Sequence, residues 1–390
     1  MPGIFKSFVF FFQNNPLRYM RKGVVSIFSW TVLLGGILSG SAFSQDAQGT
    51  PIISGFITKS GTHLLVNGQE FRAVGYNYDW LGSGCSGPSD SQLDTVFAQI
   101  HNASKGNIVR VAFFQGGDNA STFTTFDRFV SYAKKYNLYI LPILVNEWTN
   151  CEPSSTMKYL SWYQSGYTQQ NDGYPLSFHD YAVKVAQHYA NEPTIAWYQL
   201  VNEPDGRNPN NSCSETTAES ALFNFAHNMV EAIKQVDHNH MVDLGAISWC
   251  GGQGSDFQRV NSGTVDLCDV YHGYKTGSLP FPPQLQSRLA ACKALNKPSF
   301  IGEVGICAEG VTTTGQCPGG TVTEATLQQR AALFDNNLQT AFNNGVAGYV
   351  IWNKNDNPTS KGWSIGTGDP TENILSKYAI GGMISPPGAP

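Results

Sequence analysis

Eight short apolar runs recur along the 390-residue chain, most of them separated by a stretch of helical character, and this alternation limits the possible folds more than any other feature. The runs are Phe71–Asn77, Ile108–Phe113, Tyr139–Val145, Ile195–Val201, Met241–Ile247, Asp269–His272, Ser299–Gly302 and Ala347–Trp352, rich in β-branched and aromatic residues. Helical patterns lie between them at Asp90–Ala103, Thr124–Tyr136, Ser177–Ala190, Thr216–Val236, Pro283–Leu295 and Glu324–Asn343. Leu222, Phe225, Met229, Ile233 and Val236, for example, mark one face of a helix. Only the connection after the fifth run carries a weak helical pattern. Near-continuous apolar strands suit a parallel sheet covered on both faces, either doubly wound or closed into a barrel. A doubly wound dinucleotide-binding sheet would carry a glycine-rich phosphate loop after an early strand, and Asp79-Trp-Leu-Gly-Ser-Gly84 contains no GxGxxG. Eight units therefore predict an α/β fold, a (β/α)8 TIM barrel over residues 45–384, with disulfide-stapled loops. A short N-terminal β-hairpin, Ile53–Thr58 with His63–Val66, is expected before it, and a Pro/Gly-rich tail, 385–390, after it.

Residues 1–44 have the pattern of an export signal. Arg21 and Lys22 precede the uncharged, mostly apolar stretch Val24–Leu38, which gives way to small residues with Ala42 and Ser44 at plausible cleavage positions. Met20 would begin a signal of ordinary length. An uncleaved membrane anchor is the alternative, but the apolar stretch is short for a span. All eight cysteines, Cys85, Cys151, Cys213, Cys250, Cys268, Cys292, Cys307 and Cys317, follow this segment. An even number in an exported chain predicts disulfides, with Cys307 and Cys317 bracketing a Gly/Thr-rich loop as the expected pair; the absence of CxxC argues against zinc. The expected location is extracellular or periplasmic, without stable membrane association once the signal is removed.

A net charge of -5 excludes the basic footprint of a nucleic-acid-binding protein. Charged residues are 14% and aromatic residues 12%. The charged share is well below the roughly 25% of ordinary soluble domains. Such a surface suits a neutral partner gripped by stacking and hydrogen bonds.

In a (β/α)8 barrel the reactive groups come from the C-terminal ends of the strands. There the chain places Asn77, Arg110, Asn146, Asn202 with Glu203, His272 with Tyr274, Glu303 and Trp352. Two carboxylates end two different strands, in Gln199-Leu-Val-Asn-Glu-Pro204 and Phe300-Ile-Gly-Glu-Val-Gly305. A facing pair of carboxyl groups is the minimum equipment for glycoside hydrolysis, one protonating the leaving oxygen and the other attacking carbon or activating water. Glu203 is the expected acid, its pKa raised by like charge and partial burial, and Glu303 the expected nucleophile, held ionised by Arg110 and Tyr274. Each residue also has a plainer reading. Asn-Glu-Pro commonly opens loops, a Glu between glycines can be a turn carboxylate, Arg110 can form a structural ion pair, and His272 can be a satisfied partly buried histidine. Together, on strand ends and in this order, they form a coherent site.

The order Arg110, Asn202-Glu203, His272-x-Tyr274, Glu303 and Trp352 resembles the catalytic pattern of the retaining (β/α)8 glycosidase clan, most closely glycoside hydrolase family five, from about Gly55 to Tyr378. The resemblance implies that Glu203 is the acid/base, that Glu303 is the nucleophile, and that anomeric configuration is retained. Leu144-Val-Asn-Glu-Trp148, Pro193–Pro204 and the approach Ile233–His240 are similar to endo-β-1,4-mannanases. Many cellulases of the family carry a histidine near the third strand end, where this chain has Asn146 and Glu147, so the resemblance leans away from cellulase. The loops bearing Cys151 and Cys213 match no mannanase pattern residue by residue.

Trp80, Trp148, Trp249 and Trp352 follow different strands and are expected sugar-stacking platforms, with Trp352 nearest the scissile subsite by resemblance. Trp162 and Tyr163 are expected to extend the cleft, and Trp197 to pack within the barrel. His238 and His240, without acidic or cysteine partners in sequence, read as solvated histidines rather than metal ligands. Neither HExxH nor GxSxG occurs. The expected protein is a monomeric, secreted, retaining endo-β-1,4-glycanase acting by double displacement on a neutral polysaccharide. It needs no cofactor and no metal, and prefers β-1,4-mannan or glucomannan, with β-1,4-glucan next. The rivals are an exo-β-glycosidase on the same fold and a carbohydrate-binding barrel without turnover.

Overall fold

The computed structural model describes residues 53, 55–78, 87–117, 122–149, 157–170, 172–274, 282–308, 326–354 and 362–379. The chain divides into two units, Met1–Gln48 and Gly49–Pro390, and every described residue belongs to the second. The expected signal region therefore lies outside the described residues, as do Trp80, Cys85, Cys151, Cys317 and the 385–390 tail.

The first described element is a three-stranded antiparallel sheet, β1 (Ile57–Ser60), β2 (His63–Val66) and β3 (Gln69–Phe71). Sequence predicts only a two-stranded hairpin here. The third strand arises because Asn67 (φ 51°) and Gly68 (φ 76°) both adopt left-handed backbone and form a second tight turn. Phe71 thus ends this small sheet, and the barrel begins at Ala73. The buried face of the sheet, Ile57, Leu64, Val66 and Phe71, packs with Ile53 against residues at or near the starts of the barrel strands: Ala73, Ile108, Tyr139, Trp197, Met241, Phe300 and Ala347. It plugs the N-terminal end of the barrel, leaving the C-terminal end for chemistry.

The barrel strands are β4 (Ala73–Tyr78), β5 (Ile108–Ala112), β6 (Tyr139–Asn146), β7 (Trp197–Asn202), β8 (Met241–Asp243), β9 (Cys268–Asp269), β10 (His272–Tyr274), β11 (Ser299–Gly305) and β12 (Gly348–Lys354). Their pairs are parallel along the path β10-β11-β12-β4-β5-β6-β7-β8, with β9 beside the first half of β11. The predicted sixth strand is thus two short pieces occupying one position, and the sheet forms a nearly closed eight-position barrel.

The outer layer consists of α1 (Asp90–Ala98), α2 (Thr124–Lys135), α3 (Leu160–Gln164), α4 (Phe178–Tyr189), α5 (Glu215–Lys234), α6 (Asp256–Asn261), α7 (Pro283–Ala294), α8 (Leu327–Asn343) and α9 (Glu372–Leu375). Capping boxes start two of them, Ser89 with Gln92 on α1 and Thr326 with Gln329 on α8. Each satisfies two otherwise unpaired backbone amides. The connection after β8 contains only the six residues of α6, which accounts for its weak signal. On α5, the predicted face Leu222, Phe225, Met229 and Ile233 is buried, while Val236 follows the helix and is half-buried.

Trp162 and Tyr163 depart from expectation. Both are buried, their ring centroids 5.4 and 5.3 Å from that of Phe225, so they pack α3 against α5. Large rings bury more area against a helix layer than they could at an open rim. Trp197 is buried within the barrel as expected, its Nε1 donating to Asp243 Oδ2 at 2.9 Å. His238 is exposed, but His240 is buried, 2.6 Å from Asp237 Oδ2 and 3.0 Å from the Glu192 carbonyl. The carboxylate that satisfies His240 stands only three residues upstream, Asp237 in the turn leading into β8, so the reading of a histidine without an acidic partner does not hold.

Disulfides join Cys213 to Cys250 and Cys268 to Cys292. Cys307 is also disulfide-bonded, but the expected partner, Cys317, lies outside the described residues. Among the described residues, no helix is long and apolar enough to cross a membrane.

Candidate active site

The interior of the barrel carries polar side chains toward its C-terminal end. Arg110, on β5 and fully buried, is the hub. Its Nη1 donates to Glu303 Oε2 at 2.9 Å and to Asn77 Oδ1 at 2.6 Å; its Nε and Nη2 donate to Gln199 Oε1, and Nη2 also reaches Asn202 Oδ1 at 2.8 Å. Asn202 in turn donates to Asn146 Oδ1 at 3.0 Å. One cation thereby ties β4, β5, β6, β7 and β11 together beside Glu303, which a flexible lysine could not do with the same geometry.

Glu203 follows the last residue of β7 in left-handed backbone, φ 57°, immediately before Pro204. That conformation costs on the order of 1–3 kcal/mol and is held by surrounding structure. The Asn202 carbonyl accepts from the Glu147 amide at 3.1 Å, and the Pro204 carbonyl from the Ser248 amide at 2.9 Å. Trp148 Nε1 donates to Glu203 Oε2 at 2.5 Å, and His272 Nδ1 lies 3.3 Å from Glu203 Oε1. Glu303, on β11, is paired in register with His272 of β10. One oxygen of Glu203, one of Glu303 and a ring nitrogen of His272 all lie within 4.8 Å of one another. That spacing would also suit a metal ion, but Arg110 Nη1 already donates to Glu303 Oε2. A second clustered set, Cys213, Glu215 and Cys250, has its sulfurs committed to a disulfide.

The protonation pattern reverses the sequence-based expectation. Burial pushes Glu303 up to about 7, and the opposing charges of His272 and Arg110 only partly offset it. Burial also raises Glu203, but hydrogen bonds from His272 and Trp148 with the His272 charge outweigh it, leaving Glu203 below the ordinary carboxylate value. Burial opposes charge on His272, yet Asp269, Glu303 and Glu203 lift it to about 10. The surroundings therefore favour the charged form of Glu203 and disfavour that of Glu303.

Around the rim, Trp148 is half-buried and Trp249 is 43% exposed. The guanidinium of Arg207 lies 5.6 Å from the Trp148 ring and 5.3 Å from the Trp249 ring, anchored by an ion pair to the buried Asp205. Trp352 is half-buried on β12 beside Gly305 of β11, and its peptide bond to Asn353 is cis. The backbone of Tyr274 ends β10, but its side chain lies outside the described residues, so its expected hold on Glu303 is not placed.

The predicted Arg110, Asn146, Trp148, Asn202, Glu203, His272 and Glu303 are thus joined in one hydrogen-bonded set. Sequence reading overlooked Gln199, Asp243, Asp269 and Arg207. The first three sit within or at the edges of apolar runs, and a polar residue inside such a run was the available signal. Gln199 Nε2 donates to both Asp243 and Asp269 at 3.0 Å. Arg207 lies in a loop with no pattern to mark it.

Residues 65–357 match the family described as cellulase (glycosyl hydrolase family 5). The chain is 25% identical over 373 residues to mannan endo-1,4-beta-mannosidase A of Hypocrea jecorina, covering 83% of this chain and 80% of that protein. It is 24% identical over 224 residues to mannan endo-1,4-beta-mannosidase 1 of Arabidopsis thaliana, covering 51% of this chain and spanning about half, 52%, of that relative. The crystal structure of an endo-1,4-beta-mannanase from Rhizomucor miehei superposes with a TM-score of 0.58 at 18% identity, covering 83% of this chain and 98% of that one. At that identity the likeness concerns the fold, and the fold is the (β/α)8 barrel.

Proposed function

The chain belongs to glycosyl hydrolase family 5, and from that premise we propose that it is a retaining endo-β-1,4-glycanase preferring β-1,4-mannan or glucomannan. The observation that carries the reading is the approach of Glu203 and Glu303 oxygens within 4.8 Å, each from a different strand end. Retaining enzymes hold their carboxyl groups about 5 to 5.5 Å apart, whereas inverting enzymes leave about 6.5 to 9.5 Å for a water. In the first half-reaction Glu303 attacks the anomeric carbon while Glu203 delivers a proton to the departing glycosidic oxygen. In the second, Glu203 takes a proton from water as that water attacks the glycosyl ester, so two inversions give net retention. Arg110 stabilises the carboxylate that leaves, and Trp148 and His272 aim Glu203.

The productive arrangement, Glu303 ionised and Glu203 protonated, runs against surroundings that favour charge on Glu203 and disfavour it on Glu303. A bound sugar that desolvates Glu203 shifts the pair toward it.

The mannan preference is supported by the names of the curated relatives and by Asn146 at the third strand end. The exposed ring of Trp249 and the half-buried Trp148 and Trp352 suit stacking on a neutral polymer. Residues 1–44 are read as an export signal, in keeping with the disulfides of the barrel. Purified protein should release reducing ends from mannan and glucomannan as oligosaccharides of mixed length. Exclusive monosaccharide release would instead mark an exo-glycosidase, preference for β-1,4-glucan a glucanase, and absence of turnover on mannan, cellulose and xylan a binding barrel.

A further inference from the structure

Four hydrogen bonds converge on Asp269, a residue with no role in the mechanism above. Its Oδ2 faces His272 Nε2 at 2.8 Å and accepts from Gln199 Nε2 at 3.0 Å; its Oδ1 accepts from the Gly302 amide at 3.0 Å and the Tyr271 amide at 3.4 Å. Both carboxylate oxygens are thus fully engaged and Asp269 is buried, so its orientation is fixed. The register of β9 on β11 sets Asp269 beside Phe300, and the carboxylate reaches forward to the residue preceding Glu303. Gly302 has no side chain because there is no room for one: a Cβ there would lie 2.1 Å from Asp269 Oδ2 and 2.8 Å from His272 Nε2.

We infer that Asp269 is a positioning residue of this site, orienting His272 so that Nδ1 faces Glu203, supplying the negative charge opposite Nε2, and tying the backbone before Glu303 to the same carboxylate. The inference rests on Glu203 being the acid/base. With Nε2–H directed at Asp269, the ring nitrogen facing Glu203 has a defined place, 3.3 Å from Glu203 Oε1 and 3.9 Å from Glu303 Oε2. As an imidazolium, His272 donates to the Glu203 carboxylate, the form that must take a proton from water in the second half-reaction. The charged groups around His272 are Asp269 of β9, Glu203 after β7 and Glu303 of β11; behind them stand Arg110 of β5, bonded to Glu303, and Asp243 of β8, linked to Asp269 through Gln199.

Asp269→Asn keeps the shape and removes the charge. On phenyl β-mannobioside, or phenyl β-cellobioside if that is the glycone the enzyme cleaves, kcat/KM should fall about 10- to 100-fold, with a smaller loss on the 2,4-dinitrophenyl glycoside, whose leaving group needs little protonation. The alkaline limb of the pH profile should move to higher pH, because a neutral His272 no longer lowers Glu203 and Glu303. In a His272→Gln background Asp269→Asn should add no further shift. A limb that stays or moves to lower pH, equal losses on the two substrates, or a full additional shift without His272 would overturn the inference. If Asp269→Asn fails to fold, ¹⁵N spectra of the wild-type enzyme decide: His272 should be doubly protonated from about pH 6 to 8, and a neutral ring there would overturn it. Glu203→Ala with azide separates the two readings. Failure to form a β-glycosyl azide would remove the acid/base role of Glu203, whatever Asp269→Asn does.

Discussion

Glu203 and Glu303 are chemically identical side chains with different surroundings. Glu303 is buried against Arg110, and the Glu203 side chain keeps 19% of its surface accessible while receiving hydrogen bonds from Trp148 and His272. Glu303→Ala should abolish turnover, and azide should restore it with an α-glycosyl azide as product. Glu203→Ala should lose about 10²- to 10⁴-fold on substrates with poor leaving groups. With azide the Glu203 variant should give a β-glycosyl azide; exchanged product configurations would exchange the two roles. Above about pH 7 the pair loses its last proton, so kcat/KM should decline there for want of an acid. A profile flat through pH 9 would contradict that assignment. Both glutamates are legible in sequence because each ends an apolar run. Their protonation is not legible, since it depends on His272 and Asp269 approaching from other strands.

At the scale of elements, β11 sets the level at which Glu303 meets its neighbours. It pairs with β9 below and β10 above, and its Ser299–Gly305 backbone brings Glu303 level with His272. Gly302→Ala should displace the Asp269–His272 pair, lowering kcat/KM by about 10²-fold. Its stability cost should be on the order of 1–3 kcal/mol, read from denaturant unfolding; near-normal values of both would show that the strand can shift freely. The long helices and all eight strand positions were visible as periodicity because each buries a continuous face. The third strand of the small sheet, the split between β9 and β10, and short α3 were not visible, and α6 gave only a weak pattern, as two to six residues hold too little periodicity. Trp162 and Tyr163 were misjudged for a related reason: an aromatic in a loop-like segment looks the same whether it meets a sugar or Phe225.

Across the whole molecule, the small sheet seals one end of the barrel and the disulfides secure loops and helices around it. Cys213–Cys250 closes 37 residues of chain, joining the segment after Glu203 to the loop bearing Trp249. Replacing both cysteines by alanine should cost about 3–4 kcal/mol of unfolding free energy by loop-closure entropy. It should also raise KM for polysaccharide more than for a short aryl glycoside, because Trp249 lies at the rim; equal changes would show that the bridge serves stability alone. Sequence by itself determined the barrel, its direction and the pair of carboxylates at strand ends, because strand and helix periods are local properties that neighbouring residues express directly. Tertiary structure alone decided which aromatics are buried, how the surroundings of Glu203 and Glu303 differ, and that Asp269 bonds both His272 and the backbone before Glu303. Those outcomes depend on burial and on charges a few ångströms apart in space, contributed by residues far apart in the chain.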